Sequence, residues 1–260
     1  MTTTDRPARP AAAPLLAALA ERVVVADGAM GTMLQASPAT LGDFDGHEGC
    51  NEILNLTRPD IVRSIHDAYL EAGVDCITTN TFGANLGNLG EYGLQARIEE
   101  LSEAGARIAR AAADAASTGR RPRWVLGSVG PGTKLPTLGH VRFADLRDAY
   151  QRNVAGLLRG GVDAIVVETC QDLLQAKAAI IGARRAMAAD ASDIPLIAHV
   201  TIETTERRTG SALRGRWRRA SSASPRMCSA VVPQHPPMMF TQPSAQKRST
   251  LRTSDSGVSL

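Results

Sequence analysis

An α/β fold of the (β/α)8 TIM-type barrel class, incomplete at about the first five βα units, is what this sequence predicts. Three observations carry that prediction. Short β-branched runs alternate with amphipathic helical patterns up to about Thr205. The runs are near-continuously apolar, which marks strands buried on both faces of a parallel sheet joined by right-handed crossovers. Polar residues fall at the strand C-termini (Asp27, Asn80, Ser128 and Glu168), the face on which barrel active sites are built. A doubly wound sheet shares the alternation, but no Gly-x-Gly-x-x-Gly opens a helix after the first strand.

The first strand is expected at Val23–Asp27. Two later segments repeat one another, AGVDCITTNTF at 72–82 and GGVDAIVVETC at 160–170. Each has a glycine where a helix C-cap belongs (Gly73, Gly161), an Asp that opens a strand, and a polar strand end. Trp124–Gly130 and Pro195–Ile202 supply the intervening and following strands. Thr57, Pro59 and Asp60 give a cap, an early-helix proline and a first-turn carboxylate ahead of Ile61, Ile65, Ala68 and Ala72. Helical period also joins Leu94, Ile98, Leu101, Ile108 and Ala112. The same period joins Phe143 to Leu157 and Leu173 to Met187.

Several of these strand ends are chemical candidates. After the first strand, Asp27–Thr32 reads either as a loop whose amides approach a small ligand while Asp27 accepts from an ammonium, or as a tight turn needing positive φ at Gly28 or Gly31. Thr78–Phe82 ends in small hydrogen-bonding side chains. Threonine is ordinary in strands, whereas a buried Asn80 amide needs partners. Glu168 follows four apolar strand residues, so it points a carboxylate into a mouth where charge is costly unless paired with an ammonium or an Arg. Gly127–Pro131 offers backbone amides to the same mouth. The five histidines are scattered; His66 reads as a satisfied structural residue and His199 as a filler of the barrel interior. There is no Ser-His-Asp order, phosphate loop or carboxylate pair for glycoside chemistry.

The net charge of +3 divides unevenly: residues 206–260 hold 10 Lys/Arg and 2 Asp/Glu, leaving 19 basic and 24 acidic residues before them. The first ten residues lack a signal-peptide core, and residues 1–14 are expected to be disordered. No apolar run reaches membrane-spanning length, so no membrane partner is expected. Cys50, Cys76, Cys170 and Cys228 lie far apart without CxxC spacing, which points to reduced thiols and a cytoplasmic location.

Together DGAMGTMLQ (27–35), NEILNLTRPDIV (51–62), DCITTNTFGAN (75–85), GSVGP (127–131) and VETCQDLLQAKAA (167–179) resemble the homocysteine S-methyltransferase family, most of all its cobalamin-dependent methionine synthase branch. The resemblance runs from about Leu15 to Thr205. It implies a barrel that binds homocysteine and a zinc ion, the zinc holding the substrate sulfur as the thiolate that attacks a methyl group. By motif position, Asp27, Gly28, Ala29, Met30, Glu168 and Thr169 hold the amino-acid end of homocysteine and Asn80 lines the pocket. The family's zinc ligands are cysteines in an Asn-Cys and a Gly-Gly-Cys-Cys motif, neither of which occurs here. Zinc and methylcobalamin are therefore expected for the intact family enzyme and not for this chain, which is expected to be inactive alone, with homocysteine binding weak or lost. Folate and cobalamin modules are expected to be missing, and neither a metal site nor a catalytic residue is assigned.

Residues 15–205 are thus expected to form a partial barrel domain. The basic Arg/Ser/Pro-rich tail at 206–260 is expected to be disordered or the product of an out-of-frame reading. The competing possibility is a non-catalytic interaction protein acting through that tail. With Trp217 and Phe240 as its stacking residues, nucleic acid is not the expected partner.

Overall fold

The computed structural model describes residues 15–201 and the backbone of 227–229. The expectations for residues 1–14, and for the tail apart from 227–229, lie outside the described residues.

Five parallel strands form one sheet in sequence order: β1 (Cys76–Thr78), β2 (Trp124–Val129), β3 (Ala164–Cys170), β4 (Leu196–Val200) and β5 (Met227–Ser229). Sequential order without reversal is a singly wound sheet, so the α/β class and parallel sheet follow the sequence prediction. The expected first strand is reduced to a single bridge, Ala26 to Cys76, although Val25 still accepts from the Asp75 and Cys76 amides. Its outer residues have little to pack on: Val23 is 83% exposed and Val25 52%. β5 was not expected, because no strand pattern was recognised in the tail. Its backbone continues the ladder with Leu196 opposite Met227 and Ala198 opposite Ser229.

Long helices cover one face of this sheet. They are α4 (Pro59–Ala72), α6 (Ile98–Ala116), α7 (Phe143–Gly160) and α8 (Leu173–Ala189), with the short helix α5 (Leu86–Glu91) between α4 and α6. Ile77, Val125, Val129, Ile165, Val167 and Leu196 point outward into one core with Ala109, Leu146, Leu157 and Ala179. On the opposite face Cys76, Trp124 and Ala164 pack against Leu15 and Ala18 of α1 (Leu15–Glu21), which plugs the N-terminal end of the sheet. The alternation of strand side chains between these two clusters is the period-2 pattern of a pleated strand.

The internal repeat has a physical cause. Asp75 accepts from the Val25 amide at 2.9 Å and pairs with Arg22; Asp163 accepts from the Val125 amide at 2.8 Å and pairs with Arg110. Each Asp thus ties the start of its strand to the preceding one. The glycines ahead of them are left-handed C-caps, Gly73 at φ 104° and Gly161 at φ 89°. The cap expected at Thr57 is not made. Thr57 ends the short helix α3 (Leu54–Thr57), and Arg58 stands at the N-cap of α4, bridging Asp60 and Asp43.

Candidate functional site

At the C-terminal ends of the strands a belt of side-chain hydrogen bonds runs across the sheet. Asp27 accepts from the Thr78 amide at 2.8 Å and the Thr78 hydroxyl at 2.7 Å. The Thr79 hydroxyl accepts from the Ser128 amide, and the Thr81 hydroxyl donates to the Ser128 carbonyl at 2.8 Å. Ser128 Oγ then donates to Glu168 at 2.6 Å. The threonine run at 78–81 is therefore a set of cross-strand stitches, and the belt holds Asp27 at one end and Glu168 at the other.

Asp27 is half-buried, and burial pushes its carboxyl up to about 6; the charge of Glu168 adds to the rise, while the two Thr78 bonds oppose it. Two carboxyls converge on the mouth, and no Lys, Arg or His forms an ion pair with either among the described residues. An arriving cation would relieve the repulsion between them.

Glu168 is aimed by the backbone. Pairing runs in register to Val167 opposite Ala198, then resumes at Cys170 opposite Val200, so β3 carries one extra residue. Within that bulge Thr169 sits at φ 60°, a left-handed conformation uncommon for a β-branched residue. Bulges of this kind re-aim side chains next to functional sites.

The first loop is not the turn that was one of its two readings. Neither Gly28 nor Gly31 has positive φ. A Cβ on Gly28 would lie 3.0 Å from the Tyr69 hydroxyl, which would have to give by a few tenths of an ångström. That hydroxyl donates to the Ala29 carbonyl, and Ala29 precedes Met30, the first residue of α2 (Met30–Gln35). Asn80 is 4% exposed, and its amide donates to the Asn51 carbonyl at 2.9 Å and to Asn55 Oδ1 at 3.0 Å. The partners that a buried amide needs are thus protein groups.

Sequence reasoning missed the residues that hold the loops. Asp172 caps α8 by accepting from the Leu174 and Gln175 amides and also bonds Thr137; Gln175 donates to the Pro131 and Lys134 carbonyls. These bonds staple the 131–138 loop to the helix after Glu168. An Asp followed by an apolar helical run was the available N-cap signal. His66, expected to be satisfied, is fully buried, with neither ring nitrogen hydrogen-bonded among the described residues.

A three-thiolate zinc site does not fit the described cysteines. Cys50 packs with Leu34 and Ile53, Cys76 lies in the α1 cluster, and Cys170 lies in the helix-facing core. Burial pushes their thiols up to about 11, 12 and 12, away from the thiolate a metal requires. No group of three or more His, Cys, Asp or Glu among the described residues is placed to hold a metal. No helix among them is long and apolar enough to cross a membrane.

Residues 24–232 match the homocysteine S-methyltransferase family. The chain belongs to that family. Its relatives include the methionine synthases of Mycobacterium tuberculosis and Mycobacterium leprae, 60% and 58% identical over 191 residues. That alignment takes in 74% of this chain but only 16% of each relative's length. Among solved structures, the homocysteine methyltransferase MmuM from Escherichia coli superposes in its oxidized form with a TM-score of 0.54 at 20% identity, covering 73% of this chain and 77% of that one. Its metallated form gives 0.53 at 23% identity over 72% and 66%. This homocysteine S-methyltransferase family member thus shares the fold of that enzyme, with the polar belt at its C-terminal strand ends.

Proposed function

We propose that this chain carries the homocysteine-recognition part of a methionine synthase, on the opening segment of a (β/α)8 barrel. The observation that carries the reading is the pair of carboxyls Asp27 and Glu168, joined by the Thr78–Ser128 belt and without a cationic partner among the described residues. Together they match the α-ammonium of an amino acid. Gly28, Ala29 and Met30 lead into α2 and Thr169 flanks Glu168, so backbone amides there serve the α-carboxylate. Asn80 fixes the wall between the two loops. In this reading Asp27 and Glu168 bind and orient homocysteine, and the belt keeps both from collapsing onto other donors.

Activation of the thiol is a separate task. Zinc and methylcobalamin belong to the intact enzyme that the resemblance implies, and the described cysteines supply no thiolate set for zinc. The described residues therefore recognise the substrate without raising its nucleophilicity, and methyl transfer by them alone is not expected. The buried free cysteines suit a reducing, cytoplasmic setting.

The test is calorimetric titration of homocysteine into the chain and its Glu168→Gln variant. Loss of one charged partner should weaken binding by about 1.5–3 kcal/mol. An unchanged Kd would remove Glu168 from the site.

A further inference from the structure

We propose that Glu52 is a positioning residue for the homocysteine site, acting through the Gly83 amide on the loop that carries Asn80. The proposal rests on the reading of the mouth given above.

Glu52, Asn55 and Asn51 clamp the 79–85 loop from one short segment. Glu52 Oε1 accepts from the Gly83 amide at 2.7 Å. Asn55 donates to the Asn80 carbonyl at 2.8 Å and to the Leu101 carbonyl at 3.2 Å, while its oxygen and the Asn51 carbonyl receive the Asn80 amide. The clamp has no slack: a Cβ on Gly83 would lie 2.8 Å from Glu52, and one on Gly105 would lie 2.7 Å from Asn55. A shift of residues 51–55 is thus felt at the loop that carries Asn80.

Glu52 is an unusual choice for a packing role. It is 6% exposed, and no Lys, Arg or His bonds to it among the described residues; its other partner is the Cys50 thiol at 3.9 Å. Burial raises its carboxyl above the usual carboxylate range. Accepting from the Gly83 amide needs a placed oxygen and not a charge, so an isosteric neutral acceptor should replace it, and an isosteric group without an acceptor should not.

Glu52→Gln and Glu52→Met separate the two cases. Both are titrated with homocysteine at a temperature where circular dichroism shows them folded, and Gly83 and Asn80 amide exchange is followed by NMR. Glu52→Gln should keep the wild-type Kd within about twofold, while Glu52→Met should bind about tenfold more weakly with faster Gly83 exchange. Wild-type affinity in folded Glu52→Met would overturn the proposal. If the wild-type chain itself fails to bind homocysteine, the reading of the mouth fails, and Gly83 exchange still decides whether Glu52 holds the loop. Equal exchange in both variants and wild type would show that it does not.

Discussion

Asp27 is a carboxyl that burial and Glu168 hold near neutrality, at about 6, while Thr78 supplies two donors to its ionised form. An ammonium ligand binds the ionised form. Homocysteine affinity should therefore rise close to tenfold per pH unit up to about pH 6 and flatten above it. Titrations between pH 5 and 7 check this, and a flat profile would exclude Asp27 as an ammonium partner. On stability the same shift has the opposite sense. The folded state holds the Asp27 proton more tightly than an unfolded carboxyl does. Its contribution is therefore complete below the ordinary value of 3.8 and lost as pH rises through about 6.

Among the elements, the helix layer is closely packed through glycines. A Cβ on Gly156 of α7 would overlap the Glu99 carbonyl of α6, and one on Gly182 of α8 would overlap the Arg147 carbonyl of α7. Gly156→Ala gains helix propensity of about 1 kcal/mol, but overpacking at a backbone contact costs about 1–3 kcal/mol and should win. A lower urea midpoint is expected; an unchanged one would show that α6 and α7 have room to part.

The long elements were legible because each carries its own period and its own stop. The Leu94–Ala112 pattern and the glycines at 73 and 161 are local signals, and helices α6, α4 and α7 follow them. The first strand was overestimated for a physical reason. Val23–Asp27 has β-branched residues, but among the described residues only Ala26 bridges to Cys76, and Val23 and Val25 stay exposed with no cover to hold them in a ladder. Site geometry was legible where a polar residue ends an apolar run, as at Glu168. It was hidden where the partner lies far along the chain, as for Glu52 and Gly83 or Asp172 and Thr137.

At the scale of the molecule, acid stability should be governed in part by His66. Burial depresses its imidazole from 6.5 to about 4; Asp67 raises it less, and Arg63 adds to the depression. The folded state excludes the charged form. His66's contribution is thus complete above about pH 6.5 and lost as pH falls through about 4, a change of about 3 kcal/mol. His66→Leu should remove that slope from the urea stability profile, and an identical slope in the variant would place the acid sensitivity elsewhere.

In the proposed reading, the strand-end belt and its paired carboxyls select a ligand by its α-ammonium. The most direct measurement compares homocysteine with 4-mercaptobutanoate, which keeps the thiol and the carboxylate but lacks the amine. Loss of the amine should weaken binding at least about tenfold at pH 7, the effect of one unmade charged hydrogen bond. Equal affinity for the two compounds would contradict the assignment of Asp27 and Glu168 to an amino-acid ligand.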